Sequence, residues 1–99
     1  MTLRGEPVEV AATLPDGREV VVRVGVPEDS YVPARERTTV DVELHERGRA
    51  LAAVTTPLDP EQTREARELA RTIAAGLEEG TIEPTAGAIE PYADSPRRV

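Results

Sequence analysis

Pro15-Asp16-Gly17 stands between two runs, "VEVAATL" and "REVVVRV", that alternate apolar with polar residues, and this arrangement leaves the chain few choices. Two α-region residues followed by Gly at positive φ make a three-residue hairpin loop, and such a loop fixes the register of the strands it joins. Leu14 then faces Arg18, Ala12 faces Val20, Val10 faces Val22 and Val8 faces Val24, so the long apolar side chains share one face. The same register sets Glu9 opposite Arg23 and Thr13 opposite Glu19 on the reverse face, where unlike charges attract across the pair.

A second segment, "TTVDVELHERGRALAAVTT", repeats the design. With Glu46-Arg47-Gly48 as a three-residue loop, Val40, Val42 and Leu44 lie across from Val54, Ala52 and Ala50, and Thr39 pairs with Thr55. A two-residue Arg47-Gly48 turn would instead set Leu44 against Leu51 and flip the alternation in the fourth strand; the three-residue loop is the expected one because it matches the first hairpin and suits a terminal Gly better than Arg at the first position of a primed turn. Between the hairpins, "PEDSYVPARER" carries prolines at positions 27 and 33 and reads as a loop holding Tyr31.

The segment "LDPEQTREARELARTIAAGLEEG" predicts one amphipathic helix of about 20 residues, ~30 Å long. Asp59 suits the N-cap, Pro60 the first helical position, Gln62 the capping-box position, and Gly80 the stop. Ala66, Leu69, Ala70, Ile73, Ala74 and Leu77 form its apolar stripe. Gly76 on the edge of that stripe costs about 1 kcal/mol relative to Ala, which implies that something approaches the helix closely there.

The expected fold is therefore α+β: two β-hairpins forming an antiparallel four-stranded sheet, with one C-terminal helix packed on one face and an irregular proline-containing tail after it. Residues 1–80 make the ββββα domain and residues 81–99 the tail. Residues 81–92 hold three apolar anchors, Ile82, Ile89 and Tyr92, and the favoured reading straps them onto the domain or a dimer mate. A free segment and a docking motif are the other two readings. Thr85 suits the cap of a single helical turn that Pro91 stops, and residues 93–99 are expected to fray.

Chemistry is narrowed by inventory. The 99 residues include no Cys, which excludes disulfides, thiol catalysis and thiolate metal sites. His45 is the one histidine, and neither Ser30 nor Ser95 sits in a nucleophile's context, so no catalytic, cofactor or metal site is expected. Arg64, Arg67 and Arg71 form a helical stripe, but Glu61, Glu65 and Glu68 interleave with it and point to a solvated, salt-paired face. The net charge of −7 disfavours nucleic acid and anionic lipid. No apolar run approaches the ~18 residues of a membrane span, and a cytoplasmic location is expected.

The core must be built from small pieces, because there is no Phe or Trp and the apolar set is mostly Val and Ala. Self-association is a natural way to add burial to such a core. On the sheet face away from the helix the expected register exposes Ala11, Val21, Leu51 and Ala53 among Glu9, Arg23, Asp41 and Glu43, the composition of a modest protein interface. The chain is thus expected to be a non-catalytic protein–protein interaction module that binds itself or another protein. A rival expectation is a small-molecule-binding or accessory enzyme domain, with a pocket between sheet and helix near Tyr31 and His45.

Overall fold

A computed structural model describes Leu3, residues 6–26 and residues 39–94. The strands are β1 (Val8–Thr13), β2 (Glu19–Gly25), β3 (Val40–Glu46) and β4 (Arg49–Thr56), followed by helices α1 (Thr63–Glu79) and α2 (Ala86–Asp94). The strands form one antiparallel sheet in the order β1-β2-β3-β4. Both helices pack on the same apolar face, α1 over β1 and β2, α2 over β4.

The first hairpin has the expected register throughout, from Val8 opposite Val24 to Thr13 opposite Glu19. Its turn is closed by Leu14 N–H donating to the Arg18 carbonyl at 2.7 Å, and the Asp16 carboxylate accepts from Arg18 N–H at 3.1 Å. The second hairpin differs from expectation. Its turn is the two-residue Arg47-Gly48, with φ of 54° and 78°, the positive pair that a primed hairpin turn requires.

A bulge then restores the alternation. His45 pairs with Ala50 but Leu44 pairs with Ala52, so the ladder skips Leu51, and beyond it Val42 meets Val54 and Val40 meets Thr56. The bulge thus keeps Ala52, Val54 and Thr56 on the core face while the turn keeps its preferred length. Thr56, the one buried polar residue among those described, donates its hydroxyl to the Val40 carbonyl at 2.7 Å and accepts from Leu58 N–H at 3.2 Å. That pair of bonds leads the chain off the sheet toward α1.

Helix α1 begins at Thr63, three residues after the expected first position. Asp59 and Gln62 do bond reciprocally: Gln62 Oε1 accepts from Asp59 N–H at 2.9 Å and the Asp59 carbonyl accepts from Gln62 N–H at 3.1 Å. They close a separate turn, however, because the Pro60 carbonyl is taken by Leu3 N–H at 2.9 Å and is lost to the helix. Leu3 itself is 1% exposed and completes the core from outside the strands.

At the other end, Gly80 adopts φ 79° and a Schellman arrangement follows, with Gly80 N–H donating to the Leu77 carbonyl and Thr81 N–H to the Gly76 carbonyl. This reversal throws Ile82 back against Gly76. A Cβ at position 76 would collide with Ile82 Cδ1 and Cγ1 and stand 3.2 Å from its Cβ. The neighbour implied by the mid-helix glycine is therefore the chain's own next segment.

Residues 81–94 are folded, contrary to the irregular tail expected after the helix, and residues 95–99 lie outside the described residues. Ile82, Ile89 and Ala93 lie in the same buried cluster as the sheet and α1. Thr85 caps α2, its hydroxyl accepting from Ala88 N–H at 3.2 Å, but Pro91 does not stop the helix. The proline's missing donor would have served the carbonyl of Gly87, which is exposed and can turn to water instead. Ala93, expected to fray, is fully buried, so the folded unit runs past residue 80 to Asp94.

These contacts predict a sign reversal. Gly76→Ala alone should destabilise the protein by about 1–3 kcal/mol through overpacking, although alanine is the better helix former. In an Ile82→Ala background, itself about 2–5 kcal/mol less stable, the same substitution should be neutral or stabilising by up to about 1 kcal/mol. Urea denaturation of the four proteins measures both differences, and equal effects in the two backgrounds would refute the contact.

Candidate interaction surface

The sheet has one helix-covered face and one without a helix among the described residues. On the latter, pairing builds rows across the strands. Glu9, Arg23, Glu43 and Ala53 form one row, and Ala11, Val21, His45 and Ala50 the next. Arg23 thus sits between two carboxylates, and Val21 between Ala11 and an imidazole. His45 Nε2 and Glu43 Oε1, two residues apart on this face, are 2.8 Å from each other.

Three of the expected interface residues are where the sequence put them: Ala11 and Ala53 exposed, Val21 half-buried between them in the sheet. Leu51 is not. As the bulged residue it leaves the outer face and packs half-buried against the core cluster. Ile82 and Ile89 are buried and serve the chain's own interior, while Tyr92 is half-buried, packed against the core on one side. Tyr31 lies outside the described residues.

The three-residue loop would set His45 opposite Arg49, and the rival reading puts it beside a pocket between sheet and helix. It pairs instead with Ala50 and sits on the face away from both helices. There it lines a cleft of about 520 Å³ between the two hairpin turns, whose other walls include Val21, Arg18, Glu46 and Arg47. Across the cleft, the Arg18 guanidinium clasps Glu46 through two bonds, Nε to Oε2 and Nη2 to Oε1, each 2.9 Å. Hydrogen bonding and charge from Glu46 raise the Arg18 pKa, and the hydrogen bond from Arg18 is the largest cause lowering that of Glu46. Sequence reasoning missed this pair because nothing in the linker between the hairpins sets how β2 meets β3.

Asp41 was also missed as anything but a wet surface charge. It faces Gly25 on one side and Thr55 on the other, and among the described residues its Oδ1 is buried without a hydrogen-bond partner. Burial raises its pKa above the ordinary 3.8; a hydrogen bond to Thr55 opposes that shift and the charge of Glu43 adds to it. No group of three His, Asp or Glu side chains among the described residues is placed to hold a metal ion. On α1, Arg64 and Glu68 are 3.9 Å apart and largely exposed, the solvated pairing expected of that stripe.

Comparison with known proteins finds no matching family model, no matching curated protein and no matching solved structure. No described helix is long and apolar enough to cross a membrane. What defines the surface is its own geometry: a strand-built face with small apolar side chains set among rows of charge.

A carboxyl whose folded pKa is raised binds its proton more tightly in the folded state, so ionisation of Asp41 works against the fold. Asp41→Asn should therefore raise the thermal midpoint at pH 7. The gain should shrink as pH falls through the raised folded pKa and vanish below the unfolded value, where wild-type Asp41 is protonated in both states. Melting curves across pH 3–7 check this, and a gain independent of pH would show that the charge is not the cause.

Proposed function

We propose that the chain is a non-catalytic protein–protein interaction module acting in the cytoplasm, and that its working surface is the helix-free face of the sheet. The observation that carries this reading is the row Ala11–Val21 beside the row Glu9–Arg23–Glu43, on strands whose backbones are fixed by pairing on both sides at β2 and β3. Small apolar side chains allow a partner's backbone or aromatic anchor to approach, and the charges around them give orientation and discourage wrong partners.

The cleft between the hairpin turns favours a second reading, a small-ligand site, because its volume falls in the usual range for such pockets, roughly 300–1,000 Å³. Its polar groups argue for the first. Arg18 is held by Glu46 and His45 lies against Glu43, so these groups already answer to one another and do not converge on an empty point.

Site-specific photo-crosslinking in cells of the native host tests the face. A photoreactive residue replacing Ala11 should give discrete crosslinked products that one replacing Arg67, on the exposed side of α1, does not give. Val21→Glu should remove those products while leaving the melting temperature within a few degrees. Equal yields from positions 11 and 67, or none from either, would count against the face.

A further inference from the structure

We propose that two copies of this chain pair antiparallel along their β4 strands, joining two four-stranded sheets into one continuous sheet of eight. The inference rests on the reading of the chain as a protein-contact module and names one partner, a second copy.

Strand β4 is an edge: it pairs with β3 alone, and among the described residues no element lies beyond it. Alternate N–H and C=O groups of such a strand point away from the sheet and offer themselves to another strand. Folded proteins blunt that hazard with charges, prolines or cover. The opposite edge, β1, has all three: Glu9 within it, Pro7 before it, and the Glu78 carboxylate of α1 accepting from Thr13 N–H at 3.4 Å. β4 opens on Arg49 and is followed by Pro57, but the seven residues between, Ala50–Thr56, have no charge and no proline, and the bulge lies at the turn end, leaving Ala52–Thr56 regular.

The side chains agree with the backbone. Of the half-buried apolar residues that flank the core, Leu51, Ala52 and Val54 are on β4, and Ala88 and Tyr92 are on α2, which packs over that strand. Each touches the core on one side and is partly open on the other. A second copy related by a two-fold axis would cover this strip with the same strip, extending strand layer and helix layer together.

Charge sets the direction of pairing. Arg47 and Arg49 stand at one end of β4, and Asp59 follows its other end. Parallel pairing would put like charges side by side, whereas antiparallel pairing brings each arginine end to the partner's acidic end. With Ala53 on the axis facing its own copy, Ala52 meets Val54, and the arginine end of each strand lies toward the end of the other that Asp59 follows. The residue at the crowded centre is then among the smallest available.

Sedimentation equilibrium from about 1 to about 500 µM should show a monomer–dimer equilibrium with a micromolar dissociation constant, as befits a seam below about 1,200 Å². Ala53→Lys places two like charges on the axis and should weaken dimerisation at least tenfold without loss of folded structure. The chain has no cysteine, so Ala53→Cys supplies a single thiol. Directly opposed residues of an antiparallel pair lie about 4.5–5.5 Å apart at Cα, within disulfide reach, and mild oxidation should crosslink this variant much faster than Arg67→Cys.

A monomer at every concentration, a dimer unaffected by Ala53→Lys, or equal crosslinking of the two thiols overturns the pairing. A monomer that still gives the position-11 photo-crosslinks overturns the pairing alone. A dimer disrupted by Ala53→Lys but lacking those photo-crosslinks keeps the pairing and removes the wider reading.

Discussion

The seam between β2 and β3 is the contact on which the rest of the structure depends. Each hairpin can specify its own register through its turn, but nothing local tells one hairpin where to meet the other. In the observed register Val22 faces Leu44 and Val24 faces Val42, so two separate apolar stripes merge into one surface for the helices. The same register places Arg23 against Glu43 and brings Arg18 within reach of Glu46. A slip of one residue would send one hairpin's apolar face outward, and a slip of two would keep the faces but separate these charges. The apolar pattern thus excludes odd errors and the charge pattern disfavours even ones.

Given that sheet, the helices divide the work. Helix α1 covers β1 and β2 and leaves the β4 side bare. The Schellman turn at Gly80 reverses the chain, Ile82 pins the reversal against Gly76, and α2 returns across β4 with Ile89 and Ala93 pointing into the core. Each step needs the one before it: with a side chain at position 76, Ile82 is displaced from the start of the return. A helix glycine that weakens α1 locally is in this way a condition for covering the second half of the sheet.

The sequence was most legible where independent local cues agreed. Turn residues, alternation and the Glu9–Arg23 pairing all pointed to one register in the first hairpin, and the structure has it. In the second hairpin the likeness to the first and the poor fit of Arg to a primed turn favoured a three-residue loop, yet Arg47 takes φ 54° in the shorter turn and a bulge at Leu51 restores the alternation. Bulges answer to packing at the sheet's end, which no local pattern displays. The proline at position 91 argued against a helix that burial of Ile89 and Ala93 nevertheless stabilises, so tertiary contact outweighed propensity. Of the surface, Ala11, Val21 and Ala53 followed from parity; the Arg18–Glu46 clasp and the partly buried setting of Asp41 needed the inter-hairpin seam and were hidden without it.

Among the described residues the two edges of the sheet are guarded against strand pairing to different degrees. On β1, a carboxylate from α1 occupies a backbone donor and a glutamate lies within the strand. On β4, seven residues carry no charge while the helix above them exposes part of Tyr92 and Ala88. A core without Phe or Trp, built largely of Val and Ala, buries little area per residue, so an unguarded apolar edge is a costly place to leave solvent. The same small residues that make the monomer's interior thin make β4 able to approach a neighbouring backbone closely. Thin packing inside and an open edge outside are then two consequences of one choice of side chains, and pairing through the edge would also lengthen the helix-free face without adding a residue to it.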